Sequence, residues 1–150
     1  MSRVPRHRGG APVGTMQELG PVEAGAVLYL RLWCDGAAAQ GQARRDFVTA
    51  FGAAEGVAVA DSLDTLCTLC ARHGRRPLMR HGVTCACLGG DESSFANFIL
   101  TASEGDREDA MWIATTLVRA DMAPALVALA ERFGLALKRM ALRTRAARLH

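Results

Sequence analysis

The sequence predicts an all-α fold: a single-domain bundle of about six to seven short helices, with a mobile basic tail and one irregular loop. Three observations point there. Alanine, leucine and arginine dominate, and all three favour helix. β-Branched residues are sparse, and no run alternates with period two. Gly, Pro and Asp recur at intervals that suit helix starts and stops. At 150 residues and 50% hydrophobic content, the chain can bury one core without staples.

Residues 1–20 combine Gly, Pro and Arg without apolar periodicity and are expected to form a mobile basic tail. Residues 21–150 are expected to form the helical domain. Pro21 suits a first helical position, and Val22, Ala26, Tyr29, Leu30 and Trp33 follow at helical spacing as far as Gly36. Val27, Leu28 and Leu32 fill most remaining faces, as in a buried central helix.

A second helix is expected over 43–54, with Phe47, Val48 and Phe51 inward and Gly56 as its stop. Asp61 or Ser62 would cap a third, in which Leu63, Leu66, Cys67 and Cys70 share a face before His73 and Gly74 close it. The stretch 74–90 lacks a period and reads as an irregular loop. Asp91, Asp106 and Asp121 would cap three further helices, and Gly134 would end the last of them. Residues 135–149 then form a separate basic C-terminal helix.

A net charge of +3 conceals a polarity. The first 17 residues contribute +3 and the last 15 contribute +5, leaving the body at −5. Basic ends suit a protein or nucleic-acid partner with an acidic surface. The apolar run 22–34 is too short to span a bilayer and follows a Gly/Pro-rich spacer, so no membrane role and a cytoplasmic location are expected.

In that compartment the five cysteines would be reduced. Cys67-x2-Cys70 and Cys85-x-Cys87 stand fourteen residues apart, a spacing like that of paired cysteines that hold zinc. With His81 as an alternative ligand, Cys67, Cys70, Cys85 and Cys87 form a candidate structural zinc site. Ordinary packed thiols are the competing reading, since free cysteine is among the most buried residue types. A weaker alternative is a thiol redox protein, with Arg76, Arg80 and His81 stabilising a thiolate at Cys85 or Cys87.

Arg75, Arg76 and Arg80 could also bind an anion beside the cysteines. The segment 126–145 resembles a helix-turn-helix, with Ala130 at the crossing, Gly134 at the turn and Leu135 and Met140 as anchors. Lys138, Arg139, Arg143 and Arg145 would then meet nucleic acid. Phosphate loops, metalloprotease helices and nucleophile elbows are absent from the sequence, which leans away from an enzyme. The expectation is a small accessory or regulatory binding protein holding zinc, with a DNA-binding regulator as the alternative.

Overall fold

The computed structural model describes residues 8–149 and is a helical bundle. Its elements are β1 (Pro12–Thr15), α1 (Pro21–Cys34), α2 (Ala37–Phe51), α3 (Ala53–His73), β2 (Cys87–Gly89), α4 (Gly90–Ser103), α5 (Arg107–Leu117) and α6 (Ala123–Arg148). Short 3-10 turns cover Arg8–Gly10, Met16–Glu18 and Ala120–Met122. The arginines at positions 3 and 6, part of the expected basic tail, lie outside the described residues.

α1 starts at Pro21, whose missing N–H costs nothing in a first turn. It is buried on most sides, and α2, α4 and α6 pack around it. α2 and α3 form a hairpin joined by the single residue Gly52. Gly36 and Gly52 have φ of 102° and 87°, a left-handed backbone that L side chains rarely adopt, so glycine frames α2 at both ends. Between these helices lies an aromatic cluster: the Phe47 ring is 4.7 Å from Tyr29 and 6.0 Å from Phe133. The Tyr29 hydroxyl donates to Asp46 at 3.0 Å, which satisfies the one polar atom that this cluster buries.

Two glycines expected to stop helices lie inside them instead. A Cβ on Gly56 would sit 2.5 Å from the Val48 Cα and 2.7 Å from the Phe47 carbonyl carbon. Gly56 thus lets the α2 and α3 backbones touch, and α3 begins at Ala53 rather than at Asp61 or Ser62. A Cβ on Gly134 would meet the Ser103 Cβ at 2.6 Å and the Ile99 carbonyl at 2.8 Å. Gly134 is where α6 crosses α4, and α6 runs unbroken through it for 26 residues. The separate helix expected over 135–149 is the second half of α6.

The remaining differences concern the ends of the loop. Residues 8–20, expected to belong to the tail, form turns and a strand. β1 pairs antiparallel with β2, although no strand pair was legible in the sequence. Asp91 is not the cap of α4; that position belongs to Gly89, and Asp91 is buried in the first turn. Asp106 does cap α5, accepting from the Asp109 amide at 3.2 Å. Asp121 lies in a 3-10 turn before α6.

These glycines separate two opposing effects. Gly→Ala within a helix gains about 0.5–1 kcal/mol by limiting the unfolded chain, whereas forcing a methyl against backbone costs about 1–3 kcal/mol. Gly41→Ala, whose Cβ would meet only the Arg45 side chain at 3.5 Å, is expected to raise the thermal midpoint. Gly56→Ala and Gly134→Ala are expected to lower it. Thermal unfolding followed by circular dichroism checks both signs.

Candidate functional sites

Arg31 is the one charged residue in the buried stretch of α1, and it is 1% exposed. Its Nε donates to the Glu92 Oε2 at 2.6 Å and its Nη2 to the Oε1 at 2.9 Å, a bidentate pair. Nη1 also donates to the Cys85 carbonyl at 2.8 Å and Nη2 to the Cys87 carbonyl at 2.7 Å. Glu92 in turn accepts from the Gly89 amide at 3.0 Å and the His81 amide at 3.2 Å. A helix residue on α1 and one in the first turn of α4 therefore hold the second half of the loop, from His81 to Gly89, through its backbone.

Asp91 extends the hub outward. It accepts from the Met79 amide and the Arg76 Nη1, each at 2.7 Å. Gly9 lies against its carboxylate so closely that a Cβ there would overlap it. The His81 Nε2 donates to the Gly10 carbonyl at 3.0 Å. Two backbone bonds, from Met16 to the Ala86 carbonyl at 2.8 Å and from Gly90 to the Ala11 carbonyl at 3.1 Å, complete the docking of residues 9–16 over the loop.

Burial pushes the Glu92 carboxyl up, but the Arg31 hydrogen bonds, the Gly89 and His81 amides and the Arg31 charge outweigh it. The group ends below its ordinary value of 4.5. For Arg31, the bond to Glu92 raises the pKa more than burial lowers it.

The cysteines are divided between two environments. Cys67 and Cys70 are core residues on α3, while Cys85 is half-buried and Cys87 exposed on the loop. Among the described residues, no three His, Cys, Asp or Glu side chains are grouped so as to hold an ion. The structure thus does not gather Cys67, Cys70, Cys85, Cys87 and His81 into one cluster. The Cys85–Cys87 arm is fastened by Arg31, which acts on its carbonyl oxygens rather than on sulfur. The fifth cysteine, Cys34 at the end of α1, lines a cavity together with Cys67 and Cys70.

Most arginines proposed to meet an anion or nucleic acid are spent on the fold. Arg76 is paired with Asp91, and Arg80 donates to the Cys34 carbonyl at 3.0 Å. Arg75 donates to the Thr115 carbonyl at the end of α5, where the helix dipole favours a cation. Lys138 donates to the Ser103 carbonyl at 3.1 Å. Arg139 pairs with Glu55, Arg143 donates to the Ala50 carbonyl, and both stack on the Phe51 ring, at 4.9 and 5.3 Å. Arg145 differs: among the described residues it has no hydrogen-bond or ion-pair partner.

Arg145 and Arg148 border a groove of about 700 Å³ between the start of α1 and the second half of α6. Its floor includes Pro21, Leu28, Leu137 and Met140. Beyond Ala141, Leu142 in α6 and Leu149 at its C-terminal cap are 63% and 81% exposed. Sequence reading identified the basic character of this helix but missed the apolar groove, because Leu28 and Met140 meet only in three dimensions. Arg31 was equally missed, although an arginine well inside the apolar part of a helix, beyond the first-turn Glu23, was its signal.

Removing one partner of a buried pair leaves the other charge stranded, at a cost of about 3–5 kcal/mol. Arg31→Met and Glu92→Leu should each destabilise on this scale in urea unfolding. The double variant should lose clearly less than the two single losses combined. The pH dependence has a definite sign. A carboxyl depressed in the folded state contributes stability above its ordinary value of 4.5 and loses it as pH falls through the folded value. Stability measured below about pH 4.5 should therefore fall less steeply in Glu92→Gln than in the parent.

Comparison of the chain with protein-family models, curated proteins and solved structures finds no match in any of the three.

Proposed function

We propose that this chain is a binding protein that grips an acidic, amphipathic helical segment of a partner protein in the groove between α1 and α6. The observation that supports this is the pairing, on one face, of an apolar floor with a rim of Arg145 and Arg148, neither of which has a hydrogen-bond or ion-pair partner among the described residues. Helix-in-groove recognition needs both: apolar anchors spaced along one helix face and a rim that selects charge. Met140 suits such a floor, because its unbranched side chain adapts to the anchor it meets.

Charge selects among occupants. A second copy presenting its own α6 end would bring Arg145 and Arg148 against the same arginines, and like charges in contact disfavour that pairing. Nucleic acid is disfavoured differently. A phosphate surface needs a row of available cations, whereas Lys138, Arg139 and Arg143 are bound to the body. The helix-turn-helix alternative also requires a turn at Gly134, where α6 is continuous. Among the described residues no helix is long and apolar enough to cross a membrane, and the groove reading requires none.

The test uses a synthetic helical peptide with leucines on one face and glutamates on the other, and its lysine counterpart as control. The acidic peptide should bind by calorimetry and shift the NMR signals of Leu28, Leu137 and Met140. The lysine peptide should not. Reversing both rim charges, Arg145→Glu with Arg148→Glu, should weaken binding about tenfold, since each exposed pair contributes up to about 1 kcal/mol. Equal binding of both peptides, or preferential retention of duplex DNA through these two arginines, overturns the reading.

A further inference from the structure

A second cavity, of about 180 Å³, lies where α1, α3 and the loop meet. Cys34 comes from the last position of α1, and Cys67 and Cys70 from one face of α3. Trp33 forms a wall, and Pro77 and Leu78 of the loop close one side. The lining holds no carboxylate, imidazole or amide side chain, so sulfur is its only side-chain donor. Cys67 is fully enclosed, whereas Cys34 is half-buried.

We propose that this cavity is a thiol site for a soft monovalent cation of the cuprous class, held between Cys34 and Cys70. Sulfur-only surroundings select soft ions, while oxygen and nitrogen donors suit harder ones. No three ligating side chains are grouped among the described residues, so the proposed site is two-coordinate. The inter-helix pair is preferred to Cys67 with Cys70. Side chains three apart on one helix lean in the same direction, toward its N-terminus, so they stand side by side rather than facing each other across an ion. Cys34 and Cys70 come from different helices and border the same cavity.

The chemistry balances without an oxidant. Two S–H bonds break, two sulfur–copper bonds form, two protons leave to solvent, and copper remains monovalent throughout. The resulting complex carries one negative charge. Arg80, which donates to the Cys34 carbonyl, brings a compensating positive charge beside it. Burial raises the Cys34 thiol while the Arg80 charge lowers it, and burial pushes Cys70 up to about 12. Both thiols are therefore protonated at neutral pH until a thiophilic ion displaces the protons. Ordinary alkylating agents, which need thiolate, should react slowly here.

The experiment titrates the full chain with cuprous ion under anaerobic reducing conditions, against a competing cuprous chelator. Trp112 lies on the surface, 70% exposed, so a Trp112→Phe background leaves Trp33 as the reporting indole. One equivalent should be retained and Trp33 fluorescence quenched. Cys34→Ala and Cys70→Ala should each weaken retention by at least about tenfold, as loss of a metal's supporting groups does. Cys34 is half-buried, so its variant is the one best placed to keep the fold, and circular dichroism verifies this. The Cys85→Ser with Cys87→Ser pair should leave retention unchanged. No retention by the folded parent, retention that depends on Cys85 and Cys87, or equal retention of zinc overturns the proposal. None of these results bears on peptide binding at the α1–α6 groove, and failure there leaves this site untouched.

Discussion

The bidentate pair between Arg31 and Glu92 is the constraint on which the loop and the N-terminal segment depend. Two charges buried to this degree do not secure stability by themselves, because their desolvation roughly offsets their attraction. Their effect is on specificity. The guanidinium of Arg31 is used on both sides, with two bonds to a carboxylate and two to carbonyl oxygens of the loop. Any other arrangement of the loop would strip the buried arginine of two carbonyl acceptors and the buried glutamate of two amide donors, and buried polar groups left short of partners are costly. A stretch with almost no regular structure can therefore keep one conformation.

From this hub the arrangement of the surface follows. With Glu92 fixed, the amides of His81 and Gly89 are placed, and Asp91 beside it places Arg76 and Met79. Gly10 is then bonded by the His81 ring, and β1 pairs with β2. The strand pair is a product of the hub rather than of β propensity, because β2 is three residues long and contains Gly89. Two isolated strands of this length would not persist in water.

The helical class was legible in the sequence because it rests on local quantities: propensity, apolar period and the Asp106 cap. So were the start of α1 at Pro21 and the close of α3 at His73. Glycine was ambiguous. At Gly36 and Gly52 it supplies a left-handed turn, whereas at Gly56 and Gly134 it supplies room for another helix. Local sequence distinguishes these poorly, since a terminator and a crossing point both show glycine within an apolar period. Cysteine spacing was ambiguous for a related reason. Spacing of two or three residues reports which side chains share a face, but whether two arms converge depends on partners distant in sequence. Cys34 stands 33 residues before Cys67, and no pairwise spacing rule connects them.

All three features of interest meet at α1, and helical geometry explains how one helix serves them. Successive residues turn by about 100°, so neighbours in sequence face different neighbours in space. Gly25, Leu28 and Tyr29 border the groove, Leu30, Trp33 and Cys34 border the thiol cavity, and Arg31 reaches the hub. Each feature thus takes a separate face of a helix that is itself held rigid by the core. A rigid, fully hydrogen-bonded helix has no second arrangement of its own, and energetic coupling requires an element with two discrete states. Occupation of the groove should therefore leave the cavity unchanged as long as α1 moves as one body. The loop is different, because Pro77 and Leu78 border the cavity and the hub that positions them contains the buried pair. Whatever disturbs Arg31 and Glu92 disturbs that wall, which makes the ion pair, and not the groove, the element able to influence the three cysteines.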